Sequence, residues 1–499
     1  MTTYKTGQEI EITITDIGRN GDGIGRHNGF TFFVNHALPG DTILARITKL
    51  KLSYGFAELI KLLGSSCDRV KSECPYSDAC GGCMLSCYSY DAELRLKESW
   101  VKNALTRIGG VKELEIDTIR GMDNPYHYRN KAVFHAANKV LGYYSKKTHA
   151  PVAIDRCLLV DSLHEKIIEC VGAESGFTVR ISKSTAEVMV ILDNENCPEQ
   201  IISRLSELAD SAYINEKLVF GKEYITESLL GIEYAISPTS FFQVNPLQAE
   251  KMFSHVLELA ELSGVKNVLD LYCGTGAISL ILARNAHSVL GIEYSQSAID
   301  DANKNALANG INNARFICGD VEKEASAFDA EAFELIVLDP PRAGCATELL
   351  TEILRLTPNK IIYVSCDPAT LARDLAVLLA EYEINSVSPY DMFPRTGHVE
   401  TVVLLSKLKG AQSIEVEIEL DDIDLTTSES KATYAEIKQY VFDKTGLKVS
   451  QLYIAQVKKK YGIIERANFN VGKGKANVPQ VPKEKEKAIE DALRHFKMI

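Results

Sequence analysis

The spacing of apolar residues changes character along the chain, and each change predicts a different kind of element. Near the start, "EIEITITDIG" and "FTFFVNHA" alternate apolar and polar positions, and "DTILARITKLKLSYGFAELIKL" is long enough to hold more than one strand. Gly, Asn and Asp turns such as "GRNGDGIGRHNG" separate them. The pattern predicts a small barrel of the OB type over residues 1–62. Such a barrel serves either as a platform for single-stranded nucleic acid or as a packing module. Residues 63–236 are expected to form a central domain: a cysteine-dense loop, an amphipathic helix in "ELRLKESWVKNALTRIGG" stopped by Gly109 and Gly110, and an α+β unit with strands such as "TAEVMVIL".

From 237 to 410 the rhythm becomes strand, helix, strand: "VKNVLDLYCG", "HSVLGIEY", "ARFICGD", "FELIVLDPP" and "NKIIYVSC". Near-continuous apolar runs with helical spacers predict an α/β domain with a parallel, doubly wound sheet. Residues 411–499 begin with the acidic linker "ELDDIDLTTSESK". A small helical extension follows, in which "YAEIKQYVFDKTG" and "SQLYIAQVKKKYG" pair around Gly446, with Ser450 as an N-cap. Helix-turn-helix geometry and a plain helical appendage both fit it, and the lysines of "QVKKKYG" and "VPKEKEKAIEDALRHFKMI" suit either an RNA-facing surface or, slightly better, an ordinary solvated helix.

Composition narrows this picture. A chain of 499 residues is expected to divide into roughly three to five units. Hydrophobic content of 45% and charged content of 24% are those of a chain that folds. The start "MTTYKTGQEIEITI" has no basic and apolar leader, and no run approaches the ~20 apolar residues of a membrane span. A cytoplasmic protein without membrane contact is therefore expected. In that compartment 12 cysteines read as reduced thiols for metal binding or catalysis. The net charge of -12 speaks mildly against nucleic acid, but phosphate is bound by local patches that a sum conceals.

"VLDLYCGTGAISL" places Asp270 at a strand end, Gly274 and Gly276 in a tight turn, then a helix; the next strand ends in Glu293. A glycine turn lets backbone approach a ligand, and an acid about twenty positions on bonds ribose hydroxyls. The spacing D-x-x-x-G-x-G, the lack of a full G-x-G-x-x-G, and "CGD" closing the third strand point to S-adenosylmethionine, with Asp320 set to bond the adenine amino group. The domain is then Rossmann-like, of the class I methyltransferase kind. Asp339, ahead of Pro340 and Pro341, marks where the acceptor meets the methyl donor. Amino-group methylases place an aromatic residue after that motif; Arg342 stands there instead, which counts against that chemistry.

Cys366 ends the neighbouring strand. Carbon 5 of uracil is a poor nucleophile until a thiolate adds at C6, and a base must later remove the C5 proton. Glu400, in "GHVETVVLL", is the candidate base. The segments "SPTSFFQVN", "DLYCGTG", "GIEYS", "LDPPRAG", "YVSCDPATLARD" and "FPRTGHVETVVLL" together resemble the RNA uracil-5-methyltransferase family, over nearly the whole chain up to about residue 408. The resemblance implies that Cys366 attacks C6, that Glu400 takes the C5 proton, and that Gln243, Tyr272, Glu293 and Asp339 line the cofactor and target site. Asp367 departs from the family's more usual Asn. The first barrel resembles the RNA-binding TRAM module of the ribosomal-RNA branch, which implies 23S rRNA as partner; transfer RNA is the alternative, and a non-catalytic iron-sulfur RNA-binding protein a second. A monomer is expected.

Cys74, Cys80 and Cys83 in C-x5-C-x2-C spacing, with Cys157 far downstream, suit zinc or an iron-sulfur cluster on spacing alone. The family branch carries a [4Fe-4S] cluster on this pattern, so the resemblance implies the cluster over zinc, with Cys67 and Cys87 as bystanders.

Overall fold

The computed structural model describes residues 4–112, 114–146, 148, 150–408, 434–445, 447, 449, 451–461 and 481–495. Five strands, Glu9–Ile17, Asp22–His27, Phe30–Asn35, Thr42–Leu50 and Tyr54–Gly64, close into a barrel whose last two strands are exchanged in order. The alternating pattern explains its core: Ile10, Ile12, Ile14, Phe32, Val34, Ile43, Ala45 and Ile47 point inward. The strand Asp22–His27 lies within "GRNGDGIGRHNG", which reads as a turn in sequence. It is paired at both edges, and its glycines are there for close approach. A Cβ on Gly23 would stand 2.4 Å from the Ala37 carbonyl oxygen, and one on Gly25 2.6 Å from that of Thr13.

The helix Tyr90–Arg107 starts three residues before its expected beginning. A seven-stranded sheet follows, built from Lys131–Ala137, Val140–Tyr144, Pro151–Ala153, Phe177–Ile181, Val188–Leu192, Ser211–Ile214 and Lys217–Gly221. The helices Leu163–Val171 and Glu199–Leu205 bury Ile167, Ile168, Ile201 and Leu205 against it.

The second seven-stranded sheet has the order Ala314–Cys318, Ser288–Glu293, Asn267–Leu271, Leu335–Leu338, Lys360–Ser365, Glu400–Lys407, Tyr382–Tyr390. The first five are parallel, as their apolar runs predict, while Glu400–Lys407 runs against both of its neighbours. Alternate residues feed opposite cores. Val268, Val337, Ile362 and Val364 face one side; Leu269, Leu271, Ile336, Leu338, Ile361 and Tyr363 face the other.

Residues 412–499 form a separate compact unit. Its described helices, Tyr434–Thr445, Gln451–Lys460 and Lys483–His495, share a core of Ile437, Val441, Ile454, Val457, Ile489, Ala492 and Leu493. The last helix is thus packed along one face rather than simply solvated. The linker "ELDDIDLTTSESK", Gly446 and Ser450 lie outside the described residues.

Candidate active site

The carboxyl edge of the methyltransferase-like sheet gathers the chemistry. Ser365 is paired with Thr401 in the antiparallel register, so Cys366 and Glu400 stand opposite each other one step beyond the last pair. Asp339 follows the parallel neighbour Leu335–Leu338, whose Leu338 is level with Tyr363. The three side chains interact electrostatically. Glu400 is only 6% exposed and its carboxylate takes no hydrogen bond from the described residues. Burial, with Asp339 adding and Arg342 opposing, pushes its carboxyl up to about 8. Asp339 is pushed up to about 7 by burial. The half-buried Cys366 thiol rises to about 11, through burial first, then the Glu400 and Asp339 carboxylates; Arg342 opposes this and Asp367 adds to it. A thiol and a base whose proton affinities are both raised therefore stand together at this sheet edge.

Asp367 caps the helix Pro368–Leu378: its Oδ1 accepts from the amides of Ala369 at 2.8 Å and Thr370 at 3.3 Å. Burial alone would raise its carboxyl, but Arg19, whose Nη1 donates to Oδ2 at 2.8 Å, and the helix amides outweigh it and hold it below the ordinary range. Arg342 Nη2 donates to His398 Nε2 at 3.4 Å, and burial together with Arg342 and Arg19 brings that imidazole down to about 4. Sequence alone could not single out Arg19 and His398, because no local motif marks them.

The glycine loop follows Asn267–Leu271. Gly274 and Gly276 have φ of 55° and 80°, and Tyr272 between strand and loop also has positive φ, 65°. A Cβ on Gly274 would meet nothing within 4 Å, so the turn faces open space. Glu293 ties loop to neighbouring strand: its Oε2 accepts from Gly274 N at 3.3 Å and Oε1 from Ser295 N at 2.9 Å. Asp270 is fully buried; Oδ2 accepts from Ser279 at 2.5 Å, while Oδ1 is buried without a partner among the described residues. Its carboxyl is pushed up to about 7 by burial, with Asp339 and Glu293 adding and Ser279 opposing. An open glycine cradle and an orphaned acceptor fit a methyl donor carrying cationic groups. Asp320 caps the helix Val321–Ser326 and is partly exposed at the next strand end. Tyr272 is half-buried and feels the Asp320 carboxylate. Gln243 lies between strand Ile232–Ile236 and helix Pro246–Ala260; its carbonyl accepts from Asn130 at 3.1 Å, and its side chain makes no hydrogen bond to the carboxylate group.

The cysteine loop makes a second locus. Cys74, Cys80, Cys83 and Cys157 line one cavity of about 750 Å³, together with Arg129, Lys146, Arg156 and Arg395. Burial and the other thiols push Cys80 and Cys83 up; Cys157 rises chiefly by burial. His164 Nε2 accepts from Cys157 N at 2.8 Å and fixes that backbone. Cys67 is exposed, Cys87 half-buried, and neither lines the cavity. Among the described residues no group of three or more His, Cys, Asp or Glu is close enough to hold a single metal ion.

Residues 207–408 match the tRNA (Uracil-5-)-methyltransferase family, and residues 4–60 match the TRAM domain. The chain is 36% identical to an uncharacterized RNA methyltransferase of Halalkalibacterium halodurans, over 79% of this chain and 96% of that one. It is 36% identical to a second, from Caldanaerobacter subterraneus subsp. tengcongensis, over 82% and 100%. Among solved structures, the Pyrococcus abyssi tRNA (uracil-54, C5)-methyltransferase in complex with S-adenosyl-L-homocysteine superposes with a TM-score of 0.65 at 27% identity, covering 79% of this chain and all of that one. With a TRAM barrel, a glycine-loop methyltransferase sheet and these relatives, the chain belongs to the RNA uracil-5-methyltransferase family and is an S-adenosylmethionine-dependent RNA methyltransferase.

Proposed function

We propose that the protein methylates C5 of a uridine in 23S rRNA through a transient covalent bond between Cys366 and C6. The observation that carries the reading is the register that sets Cys366 opposite Glu400, beside Asp339, at the carboxyl edge of the sheet. When bound at the glycine loop, S-adenosylmethionine supplies an electrophilic methyl group. The Cys366 thiolate adds to C6 of the ring, which turns C5 into the carbon of an enolate and lets it accept that methyl. Glu400 then removes the C5 proton, and the electron pair left behind expels the cysteine sulfur and restores the C5–C6 double bond. The base's role suits a group held in a water-poor site, where a carboxylate is a stronger base than in water, whereas the same burial opposes ionisation of the thiol.

The assay is incubation with 5-fluorouridine-containing 23S rRNA and the methyl donor. Fluorine at C5 cannot leave as a proton, so wild type should accumulate a covalent RNA complex that Cys366→Ala lacks. An equal yield from Cys366→Ala would overturn the adduct. Transfer RNA is the second reading, supported by the activity of the Pyrococcus abyssi neighbour. The same trapping with 5-fluorouridine-containing tRNA decides between them: capture of rRNA supports the first, and capture of tRNA alone the second.

For the cysteine cavity the donor set fits a [4Fe-4S] cluster held by Cys74, Cys80, Cys83 and Cys157. Support comes from four thiols that line one cavity and from burial that a cationic cluster would offset. Methyl transfer itself requires no redox step, so the part proposed for the cluster is structural or RNA-orienting: it would pin this loop to the central domain. Cys157→Ser is expected to lose visible absorption and solubility together; retained iron in a soluble protein would place the fourth ligand elsewhere. All 12 cysteines are free, which supports a reducing, cytoplasmic setting.

A further inference from the structure

The turn between the first two barrel strands reaches the methyl-transfer site. Gly21 N donates to Gly18 O at 2.8 Å and Gly18 N to Asp22 O at 2.9 Å, so the turn is tight. Its base is anchored: Ile17 is buried with Leu85, Tyr88, Ala92 and Leu96, and Trp100 Nε1 donates to the Ile17 carbonyl at 3.3 Å. From this support Arg19 extends to Asp367, 348 residues later in sequence, with Nη1 2.8 Å from Oδ2. The other oxygen of that carboxylate caps the helix that follows the thiol. The backbone of Arg19 also presses on the second limb of the site. A Cβ on Gly397, three residues before Glu400, would stand 1.9 Å from the Arg19 carbonyl oxygen.

An ion pair with side chains 34% and 21% exposed adds little to stability. Its place beside the thiol gives it another consequence. The groups facing Cys366 are the carboxylates of Glu400, Asp339 and Asp367 and the guanidinium of Arg342, with His398 beyond it. Three carboxylates oppose thiolate formation, and Arg19 is bonded to one of them. Without it, Asp367 would stand as an uncompensated charge on the residue after the thiol, free to swing away from its cap.

We propose that Arg19 of the TRAM barrel is a positioning residue for methyl transfer: it fixes the Asp367 turn that presents Cys366 and neutralises the carboxylate beside the sulfur. The proposal rests on Cys366 as the nucleophile. It makes the barrel part of the catalytic site rather than a tethered RNA platform. It also accounts for why a carboxylate is tolerated next to a thiol that must ionise.

The test compares full-length wild type, R19A, R19K, the double variant R19A/D367N and C366A. Two readouts are kcat and KM for RNA and the pH profile of iodoacetamide alkylation at Cys366, followed on its own peptide by mass spectrometry. R19A is expected to lower kcat by about tenfold or more, with KM for RNA changed by less than about threefold, and to move the alkylation profile to higher pH. R19K, which keeps the charge without the fork, should keep the alkylation profile. Adding D367N to R19A removes the stranded charge while its amide oxygen still caps the helix, so both readouts should return most of the way. A rise in KM alone with kcat and the alkylation profile unmoved overturns the proposal, since it would make Arg19 an RNA contact. So does a loss of kcat that D367N fails to relieve. If C366A keeps its turnover, the nucleophile reading itself fails whatever Arg19 does; an inactive C366A beside a fully active R19A sinks this proposal alone.

Discussion

Glu400 shows how a single residue is given its reactivity at a cost to the fold. It is a carboxyl sealed at a strand start, with its proton affinity raised from the ordinary 4.5 to about 8. The sign of the stability effect follows. A carboxyl whose folded affinity is raised favours the folded state while protonated, and that contribution is lost as pH rises from about 4.5 through about 8. Asp339 and Asp270, both raised to about 7, act in the same direction. Glu400→Gln removes the buried charge, so it should raise the melting temperature at pH 8 and lose that advantage toward pH 4.5; thermal melts at both values check it. The same substitution should abolish turnover, since the base is gone. In wild type, methyl transfer should quicken between about pH 6 and 9 as Glu400 ionises and the thiol comes nearer to doing so. A flat profile over that span would mean that neither proton limits the reaction.

At the scale of elements, the strand Lys360–Ser365 decides where the thiol is presented. Ile361, Ile362, Tyr363 and Val364 are all fully buried, alternating between the two cores. Ile362→Ala should cost about 2–5 kcal/mol, because the packed sheet on both sides cannot collapse into the space. Chemical denaturation measures that cost, and a change below about 1 kcal/mol, nearer the range of surface substitutions, would mean that the site relaxes. Apolar runs made these parallel strands legible in the sequence, and the glycine spacing marked the loop, because both are local properties. What stayed hidden is non-local. The glycine-rich Asp22–His27 reads as a turn, and only its neighbours on both edges make it a strand. Cys366 and Glu400 can each be picked from a short string, but their meeting depends on an antiparallel register that no local pattern encodes. Arg19 could not be found at all, since its partner lies in another domain.

At the scale of the molecule, residues 1–411 form one compact unit in which the parts are locked together through buried charge as well as apolar contact. Lys97, fully buried on helix Tyr90–Arg107, donates to Glu93 and Asp391 at 2.7 Å each and to the Phe393 carbonyl at 3.1 Å, just ahead of the segment leading to Glu400. Arg395 donates through Nη1 to Tyr88 O at 2.9 Å and lines the cysteine cavity. The cysteine loop, the barrel turn and the catalytic strand therefore share supports, and a disturbance of one is expected to reach the others. Residues 412–499 are a different case, with their own core, lying beyond the family match that ends at 408. The curated relatives are matched over 96% and 100% of their lengths while covering 79% and 82% of this chain, so close to a fifth of this chain has no counterpart in them. Ending the chain after residue 411 should thus leave the melting transition of the larger unit in place and kcat within about threefold of the full chain. A rise in KM for RNA with kcat unchanged would assign the helical unit to RNA capture. A collapse of kcat would mean that the larger unit is not sufficient for the chemistry placed in it.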